Sequence, residues 1–198
     1  MPELLLPFTL FAIAGSITPG PNNIMLTASG ANFGFRRTIP HLLGICIGFS
    51  VMLMAIGLGL ARLFAEVPAI HSVLRVAGSA YLLWLAWRVA AASATDPVEP
   101  GGRPLSFLQA AAFQWVNPKA WILASGAVST FTLVGQELLP QVMMMAAVFT
   151  LVILPATTVW ALLGVGMARV LRAPLALRIF NVTMGVLLAV SVLWIWFD

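Results

Sequence analysis

The sequence has few charged residues. Only 8% of its 198 residues are Asp, Glu, Lys or Arg, whereas about 25% is usual in soluble domains. Hydrophobic residues make up 61%, above the roughly 45–50% of an ordinary soluble domain. So few charges cannot cover a water-facing surface, whereas a bilayer requires an apolar exterior. The composition therefore predicts an integral membrane protein.

Cysteine and histidine are also scarce. The single cysteine, Cys46, excludes an internal disulfide, and its place in an apolar run favours a packed side chain over a reactive thiol. The two histidines, His41 and His71, are too widely spaced to give a metal-ligand pattern. We therefore expect no metal site and no cofactor.

The net charge of +4 does not indicate a nucleic-acid partner. Nucleic-acid binding requires Lys and Arg clustered on one surface, whereas here they are scattered between apolar runs. Their expected role is to set the orientation of the chain in the membrane.

Six apolar segments are each long enough to cross a bilayer at 1.5 Å rise per residue. They run approximately from Leu4 to Ala31, Ile39 to Leu63, Ser72 to Ala92, Phe107 to Leu133, Leu138 to Ala168 and Ile179 to Phe197. The N-terminus carries Glu3 and no basic region, so we expect the first segment to be a retained span and not a cleaved signal peptide. The one loop rich in Pro, Gly and charge, residues 93–106, separates a first three-helix repeat, 1–92, from a second, 107–198.

The basic residues predict the orientation. Seven arginines follow spans one, three and five: Arg36, Arg37, Arg88, Arg103, Arg169, Arg172 and Arg178. Only Arg62 and Arg75 fall at the opposite end. By the positive-inside rule those three connections face the cytoplasm, and both termini face the periplasm.

The first span is interrupted by SITPGPNNIML, residues 16–26. Proline has no N–H, so the two prolines of this motif leave the carbonyls of Gly15 and Ile17 without helical partners. A single proline would indicate an ordinary kink, but two prolines, a glycine and two asparagines predict an unwound segment lining a polar cavity. We expect Thr18 and Pro19 to cap and start the second half of the helix. The candidate binding residues are Pro19, Gly20, Pro21, Asn22 and Asn23.

The fourth span is interrupted in the same way by QWVNPKAW, residues 114–121. Asn117 is placed to act as N-cap with Pro118 at the first helical position, which leaves the amides of Lys119, Ala120 and Trp121 without partners. Because each half has three spans, the second half enters the membrane from the opposite side. Broken helices at corresponding positions of two inverted repeats predict a transport site near the bilayer midplane.

Lys119 is the only charged residue deep inside a predicted span. A cation there costs about 2.5–3.5 kcal/mol unless it is paired or hydrated. Two interpretations remain open: a structural bond to carbonyls of the other break, such as that of Gly15, or the binding of a substrate carboxylate. If transport is coupled to protons, His41 and Lys119 are the candidate proton carriers, although His41 is equally explained as an interfacial residue.

Gly44 and Gly48 give span two a G-x-x-x-G spacing, which allows another helix to approach closely. We expect this face to pack against the broken span one or to form a dimer contact.

Four stretches resemble the lysine-exporter (LysE/RhtB) family of bacterial amino-acid exporters, and the resemblance covers nearly the whole chain. They are TPGPNN (18–23), HLLGICIG (41–48), VAGSAYLLWLAWRV (76–89) and VNPKAW (116–121). The resemblance implies an inner-membrane carrier for amino acids or related small zwitterions, driven by the proton motive force and often a homodimer. By this resemblance, the residues that match the family motif are Pro19, Gly20, Pro21 and Asn22 in span one and Asn117, Pro118 and Lys119 in span four. Some members have an acidic residue in the fifth span where this chain has Pro155 to Thr158, which argues against strongly cationic substrates such as lysine.

The resulting hypothesis is a transporter that works by alternating access around spans one and four, with Lys119 facing a carboxylate. Two alternatives stay open. An intramembrane enzyme would have to rely on Lys119 and His41, since the spans contain no Ser/His/Asp set and no paired carboxylates. A structural membrane subunit would transport nothing.

Overall fold

A computed structural model of the chain describes residues 2–60, 68–92, 103–133, 135–170 and 173–197, and every regular element among them is helical. The helices are α1 (Pro2–Ile17), α2 (Pro21–Phe33), α3 (Phe35–Ala55), α4 (Pro68–Ala90), α5 (Phe107–Phe113), α6 (Pro118–Phe131), α7 (Leu138–Val170) and α8 (Pro174–Phe197). A π-helical turn, Ile56–Leu60, follows α3, and a 3₁₀ turn, Gln114–Val116, separates α5 from α6. Residues 93–102 of the predicted central loop, Arg62 and Arg172, and the side chain of His71 lie outside the described residues.

Within the part of the chain that the structure describes, three helical stretches are long and apolar enough to cross a membrane: Phe35–Leu60, Leu138–Val170 and Pro174–Leu193. The pair Leu4–Ile17 and Pro21–Phe33 adds a fourth if it is one span bent by 53°. Many large apolar side chains face outward, among them Leu108 and Leu151, as expected for helices in contact with lipid. The predicted membrane protein is thus confirmed, while the six-span arrangement as two inverted repeats stays a prediction.

The core lies where α3 and α7 pack against each other and against the two interrupted helices. Phe149 of α7 is at its centre. Its ring lies 5.4 Å from that of Phe8 on α1 and 4.8 Å from that of Phe49 on α3, measured between ring centroids. Pairs of this kind add about 0.5–1.5 kcal/mol beyond the burial of their area, so they help to hold α1, the first half of the broken span one, and α3 against α7.

Small residues allow α2 to cross α7 closely. A side chain on Gly30 would meet the carbonyl of Ala161, and one on Gly164 would meet the carbonyl of Thr27. Missing side chains let helix backbones approach in this way inside membranes. The crossing fixes α2, the half-helix that follows the first break.

The glycine pair of span two packs elsewhere than expected. Gly44 lies against the carbonyl of Phe107 and Gly48 against the backbone of Ala111, so both contact α5. The expectation of packing against span one was wrong, and the face is covered within the chain instead of being open for a dimer contact. Sequence spacing identifies a small-residue face but not the helix that covers it.

The connections that follow spans one, three and five come together at one end. Asn32 near the end of α2 and Asn181 in α8 exchange amide hydrogen bonds of 2.8 and 3.0 Å. Asn181 also donates to the carbonyl of Ala92 after α4, at 2.8 Å. The arginines that predict the cytoplasmic side therefore belong to connections that share one end of the bundle.

Candidate functional site

The first break separates α1 from α2. Thr18 still belongs to the end of α1, because its N–H donates to the carbonyl of Ala14 at 3.1 Å. Gly20 is extended, with φ −173° and ψ 178°, and caps α2, which begins at Pro21. The expected restart at Thr18 and Pro19 was therefore two residues early. Proline is tolerated at the first helical position, where its missing N–H leaves no bond unmade, and Pro21 rather than Pro19 occupies that position.

The second break separates α5 from α6. After the 3₁₀ turn, Asn117 is extended and Pro118 is at the first helical position of α6, as predicted. The side chain of Asn117 makes no capping bond, and its buried Oδ1 has no hydrogen-bond partner. The amides of Ala120 and Trp121, expected to be free, donate to the Asn117 carbonyl at 3.1 and 3.2 Å. The second break thus presents a side-chain oxygen in place of those two amides.

Lys119 bridges the two breaks. Its Nζ donates to the carbonyl of Thr18 and, at 3.5 Å, to that of Pro19. A contact of Lys119 with broken-helix carbonyls was one of the two interpretations left open by the sequence, and it is made through Thr18 and Pro19 and not through Gly15. Its stem packs on Gly20, where an added Cβ would lie 2.7 Å from the Lys119 Cδ. Glycine at position 20 therefore leaves the room that the lysine side chain occupies.

The side chain of Asn23 donates hydrogen bonds to carbonyls of the first break, which lies in the same span. This buried side chain donates through Nδ2 to the carbonyls of Ser16 and Thr18, at 3.1 and 2.9 Å. In an apolar environment these carbonyls would be costly to leave unpaired. The amide of Asn23 therefore stabilises the unwound backbone, while Lys119 bonds to the same stretch from the opposite break.

Asn22 connects the breaks through a residue that the sequence interpretation missed. The amides of Asn22 and Gln114 exchange hydrogen bonds of 2.8 and 3.1 Å. Gln114 is fully buried and also donates to the carbonyl of Ala110 at 2.9 Å. A glutamine inside an apolar segment is a signal of its own, because a buried amide requires partners.

A cavity of about 40 Å³ lies between the breaks. Gly20, Asn22, Asn23, Asn117 and Lys119 line it, so the structure brings five of the eight predicted binding residues to one site. The opposite wall, which the sequence did not reveal, consists of Ile45 and Phe49 of α3 and Phe149, Ile153 and Thr157 of α7. At about 10–15 Å³ per water molecule this volume holds roughly three waters.

The described residues that line the cavity supply a positive charge and no negative one. Lys119 is the only ionisable side chain among the described residues that line it, and Asn117 Oδ1 is a buried acceptor without a partner. An ammonium, amide groups and main-chain carbonyls bind small polar molecules, and the apolar wall excludes large polar groups. Elsewhere in the described chain no three His, Cys, Asp or Glu residues are placed to hold a metal ion.

His41 does not reach this cavity. The structure buries it completely, which removes the interfacial interpretation, and places it beside a second cavity. Its Nδ1 lies 3.1 Å from Ser29 Oγ, and its Nε2 has no hydrogen-bond partner. The two candidate proton carriers, His41 and Lys119, therefore line different cavities.

Comparison with known proteins agrees with this geometry. The model of the LysE type translocator family matches residues 13–193. The chain belongs to the LysE-type translocator family. This translocator is 34% identical over 175 residues to the cysteine/O-acetylserine efflux proteins of Escherichia coli (strain UTI89 / UPEC) and Shigella sonnei (strain Ss046), which covers 86% of this chain and 87% of each relative. No solved structure gives a significant match.

The family match includes both breaks and both cavities of the translocator. The resemblance identified from the sequence motifs is therefore confirmed. Both the family and these relatives point to a membrane transporter and not to an enzyme.

Proposed function

We propose that this protein exports a small neutral amino acid, of the kind named for its cysteine/O-acetylserine efflux relatives, by alternating access around the cavity between the breaks. One observation carries the proposal: Lys119 of the second break donates to the carbonyls of the first break across that cavity. This bond connects α6 to the α1–α2 break. A ligand that competes for Lys119 changes how the two halves are held together.

The carboxylate of an amino acid is such a ligand. Hydrogen bonds to charged groups are worth about 1.5–3 kcal/mol, and an ion pair with a carboxylate replaces the bonds from Lys119 to neutral carbonyls. Once Lys119 turns to the carboxylate, the carbonyls of Thr18 and Pro19 are free to accept from the substrate ammonium. Lys119 then binds the carboxylate of the zwitterion, and the two carbonyls bind its ammonium group. Before the substrate enters, Lys119 and these carbonyls are hydrogen-bonded to each other.

The apolar wall supports a neutral side chain. Phe49, Phe149 and Ile153 offer no partner for a charge, and Thr157 offers one hydroxyl, which already donates to the carbonyl of Ile153 at 2.6 Å. No acidic residue is among the described residues that line the cavity. A cationic side chain would be buried there without a counter-charge, at a high cost in free energy.

The same proposal includes an energy source and a location. Export is coupled to the proton motive force in the bacterial inner membrane, with Lys119 and His41 as the candidate proton carriers. The two halves form inverted three-helix repeats with both termini in the periplasm, and a homodimer is the proposed assembly. No cofactor is required.

Uptake of labelled cysteine and O-acetylserine into inside-out membrane vesicles tests the function, because uptake there corresponds to export. We expect uptake by the native chain, a loss of about tenfold or more for Lys119→Ala, which corresponds to about 1.4 kcal/mol, and no transport of lysine. A protonophore abolishes uptake if protons drive it.

Thr157 and Thr158 provide a matched pair for the location of the site. Thr157 lines the cavity, whereas Thr158 is half-buried outside it, and its hydroxyl donates to the carbonyl of Leu154 of the same helix at 2.7 Å. Thr157→Val should change the concentration for half-maximal uptake, and Thr158→Val should not. Native uptake by a well-expressed Lys119→Ala protein contradicts the proposed site.

A further inference from the structure

A second cavity lies near the end where the connections after spans one, three and five meet. It has a volume of about 80 Å³, against about 40 Å³ for the central cavity. Residues of α2, α3 and α4 and of the segment before α5 line it. Of its lining residues, the transport mechanism described above uses only His41, as a candidate proton carrier.

Two arginines give this cavity its charge. Arg88 comes from α4 and Arg103 from the segment before α5, and both side chains are largely exposed. The Arg88 guanidinium lies 5.1 Å from the centre of the Trp84 ring, a cation–π contact that orients it. None of the described residues that line the cavity is acidic. The arginines therefore face it without a counter-charge from its described wall.

The buried wall of the cavity contains an unsatisfied polar atom. His41 is completely buried, and its Nε2 has no hydrogen-bond partner. On the other side of the ring, Nδ1 lies 3.1 Å from the buried Ser29 hydroxyl. If that hydroxyl donates to Nδ1, the ring proton is on Nε2, and a donor without an acceptor remains. Buried polar groups are rarely left in this condition, so Nε2 is a donor that a ligand in the cavity could use.

The second cavity is close to the central one. Asn23 lines the first and Ser29 the second, and they are six residues apart on α2, about 9 Å at 1.5 Å per residue. Ile45 and His41 are separated by a single turn of α3, about 6 Å. The same two helices thus form walls of both cavities.

We propose that this second cavity is a loading site that binds the carboxylate of the substrate before it reaches Lys119. Arg88 and Arg103 attract and hold the carboxylate, and the His41 Nε2–H donates to it from the buried wall. Guanidinium groups suit this task because their paired N–H donors match the two oxygens of a carboxylate. The proposal rests on the proposed export function and on the predicted cytoplasmic position of this end.

The test is the concentration dependence of labelled cysteine uptake into inside-out vesicles. Arg88→Gln combined with Arg103→Gln should raise the concentration for half-maximal uptake about tenfold, as expected from loss of a charged hydrogen bond, and leave the maximal rate nearly unchanged. Arg88→Lys combined with Arg103→Lys should recover part of the affinity. Arg36→Gln, an exposed arginine outside the cavity, is the control.

Binding to the purified full chain in nanodiscs separates this proposal from the export function. Calorimetric titration should show that cysteine binds and that cysteine ethyl ester, which lacks the carboxylate, binds more weakly. In a Lys119→Ala background, where the central cavity no longer binds the carboxylate, the double glutamine variant should lose most of that difference. If native protein binds cysteine in this manner but does not transport it, the export function fails while the carboxylate site stands.

Equal affinity of the native and double glutamine proteins, in both binding and uptake, overturns the loading site. Lipid phosphate is the competing source of an anion. If the double variant is impaired only in vesicles with anionic lipids and behaves as native in phosphatidylcholine vesicles, the arginines bind headgroups and the loading site is likewise overturned.

Discussion

The two breaks satisfy their backbones in different ways. The first, between α1 and α2, has carbonyls of Ser16, Thr18 and Pro19 that accept from the side chains of Asn23 and Lys119. The second, between α5 and α6, is a 3₁₀ turn whose carbonyls accept from groups of the same break: Gln114 from Asn117 N–H, Asn117 from Ala120 N–H, and Trp115 from the indole N–H of Trp121 at 2.9 Å. The first break therefore uses a donor from the other break, Lys119, whereas these bonds of the second break stay within it.

The surroundings of the second break add to this difference. A capping box holds the start of α5, with the Ser106 hydroxyl accepting from Gln109 N–H at 3.3 Å and the Gln109 side chain accepting from Ser106 N–H at 2.9 Å. In the first break, by contrast, Gly20 caps α2 without a side-chain bond. In the proposed mechanism, the second break therefore carries Lys119 on a fixed base and the first break rearranges when substrate binds.

The largest expected effect comes from restoring the first helix. Pro19→Ala combined with Pro21→Ala returns two N–H donors, so the helix can close over the break and withdraw the carbonyls from Lys119. We expect uptake to fall by about tenfold or more, or about 1.4 kcal/mol. The measurement is the uptake rate per molecule of inserted protein.

Pro7→Ala is the matched control for this change. Pro7 lies within the same helix, α1, but is exposed and does not line either cavity. Its substitution should leave uptake close to native. If the double variant transports at the native rate, the interruption is not needed for transport.

Asn23→Ala tests how the first break is stabilised. It removes a donor from the carbonyls of Ser16 and Thr18, of which that of Thr18 still accepts from Lys119, so the expected cost is that of one unpaired group, about 1–3 kcal/mol. We expect a lower melting temperature in detergent and reduced uptake. Thr183→Val is a control elsewhere in the chain, since the exposed Thr183 hydroxyl donates to a carbonyl of its own helix, that of Ile179, at 2.9 Å. A melting temperature that Asn23→Ala leaves unchanged would show that the carbonyls find other partners.

The breaks were predictable from the prolines, the asparagines and the lone lysine, because each of these residue types has a known effect on the backbone or on the groups around it. Proline removes an N–H, and a cation in an apolar segment requires a partner. The apolar wall was not predictable in this way. Phe49 and Phe149 are chemically no different from lipid-facing residues in their own spans, and only the packing of α3 against α7 selects them.

The helix boundaries show the same limit. The long spans five and six were identified with bounds close to Leu138–Val170 and Pro174–Phe197, because hydropathy defines them. The packing partner of Gly44 and Gly48 was missed, since spacing along one helix does not specify the other helix. Local backbone chemistry can be predicted from the sequence, whereas contacts between apolar surfaces depend on how the helices pack in the bundle.

A smaller effect is expected for the amide pair that joins the breaks. A double-mutant cycle of Asn22→Ala and Gln114→Ala measures the coupling between the two side chains. Hydrogen bonds inside membranes average about 0.6 kcal/mol each, so the two bonds predict about 1 kcal/mol. The readout is the change in unfolding free energy in mixed detergent micelles. A coupling of zero would mean that the breaks are not connected through these amides.

The smallest effect is expected for Pro118→Ala. This variant tests most directly whether the two breaks behave differently in transport. Pro118 is at the first helical position of α6, where an N–H has no helical partner in any case. Alanine adopts the same backbone there, and the 3₁₀ turn and Asn117 remain to end α5. The variant should lose about 0.4–1 kcal/mol of stability through the unfolded chain and keep its uptake within about a factor of two. A loss as large as that of the Pro19 and Pro21 variant would mean that the second break also rearranges during transport, and the distinction between a fixed and a moving break would no longer hold.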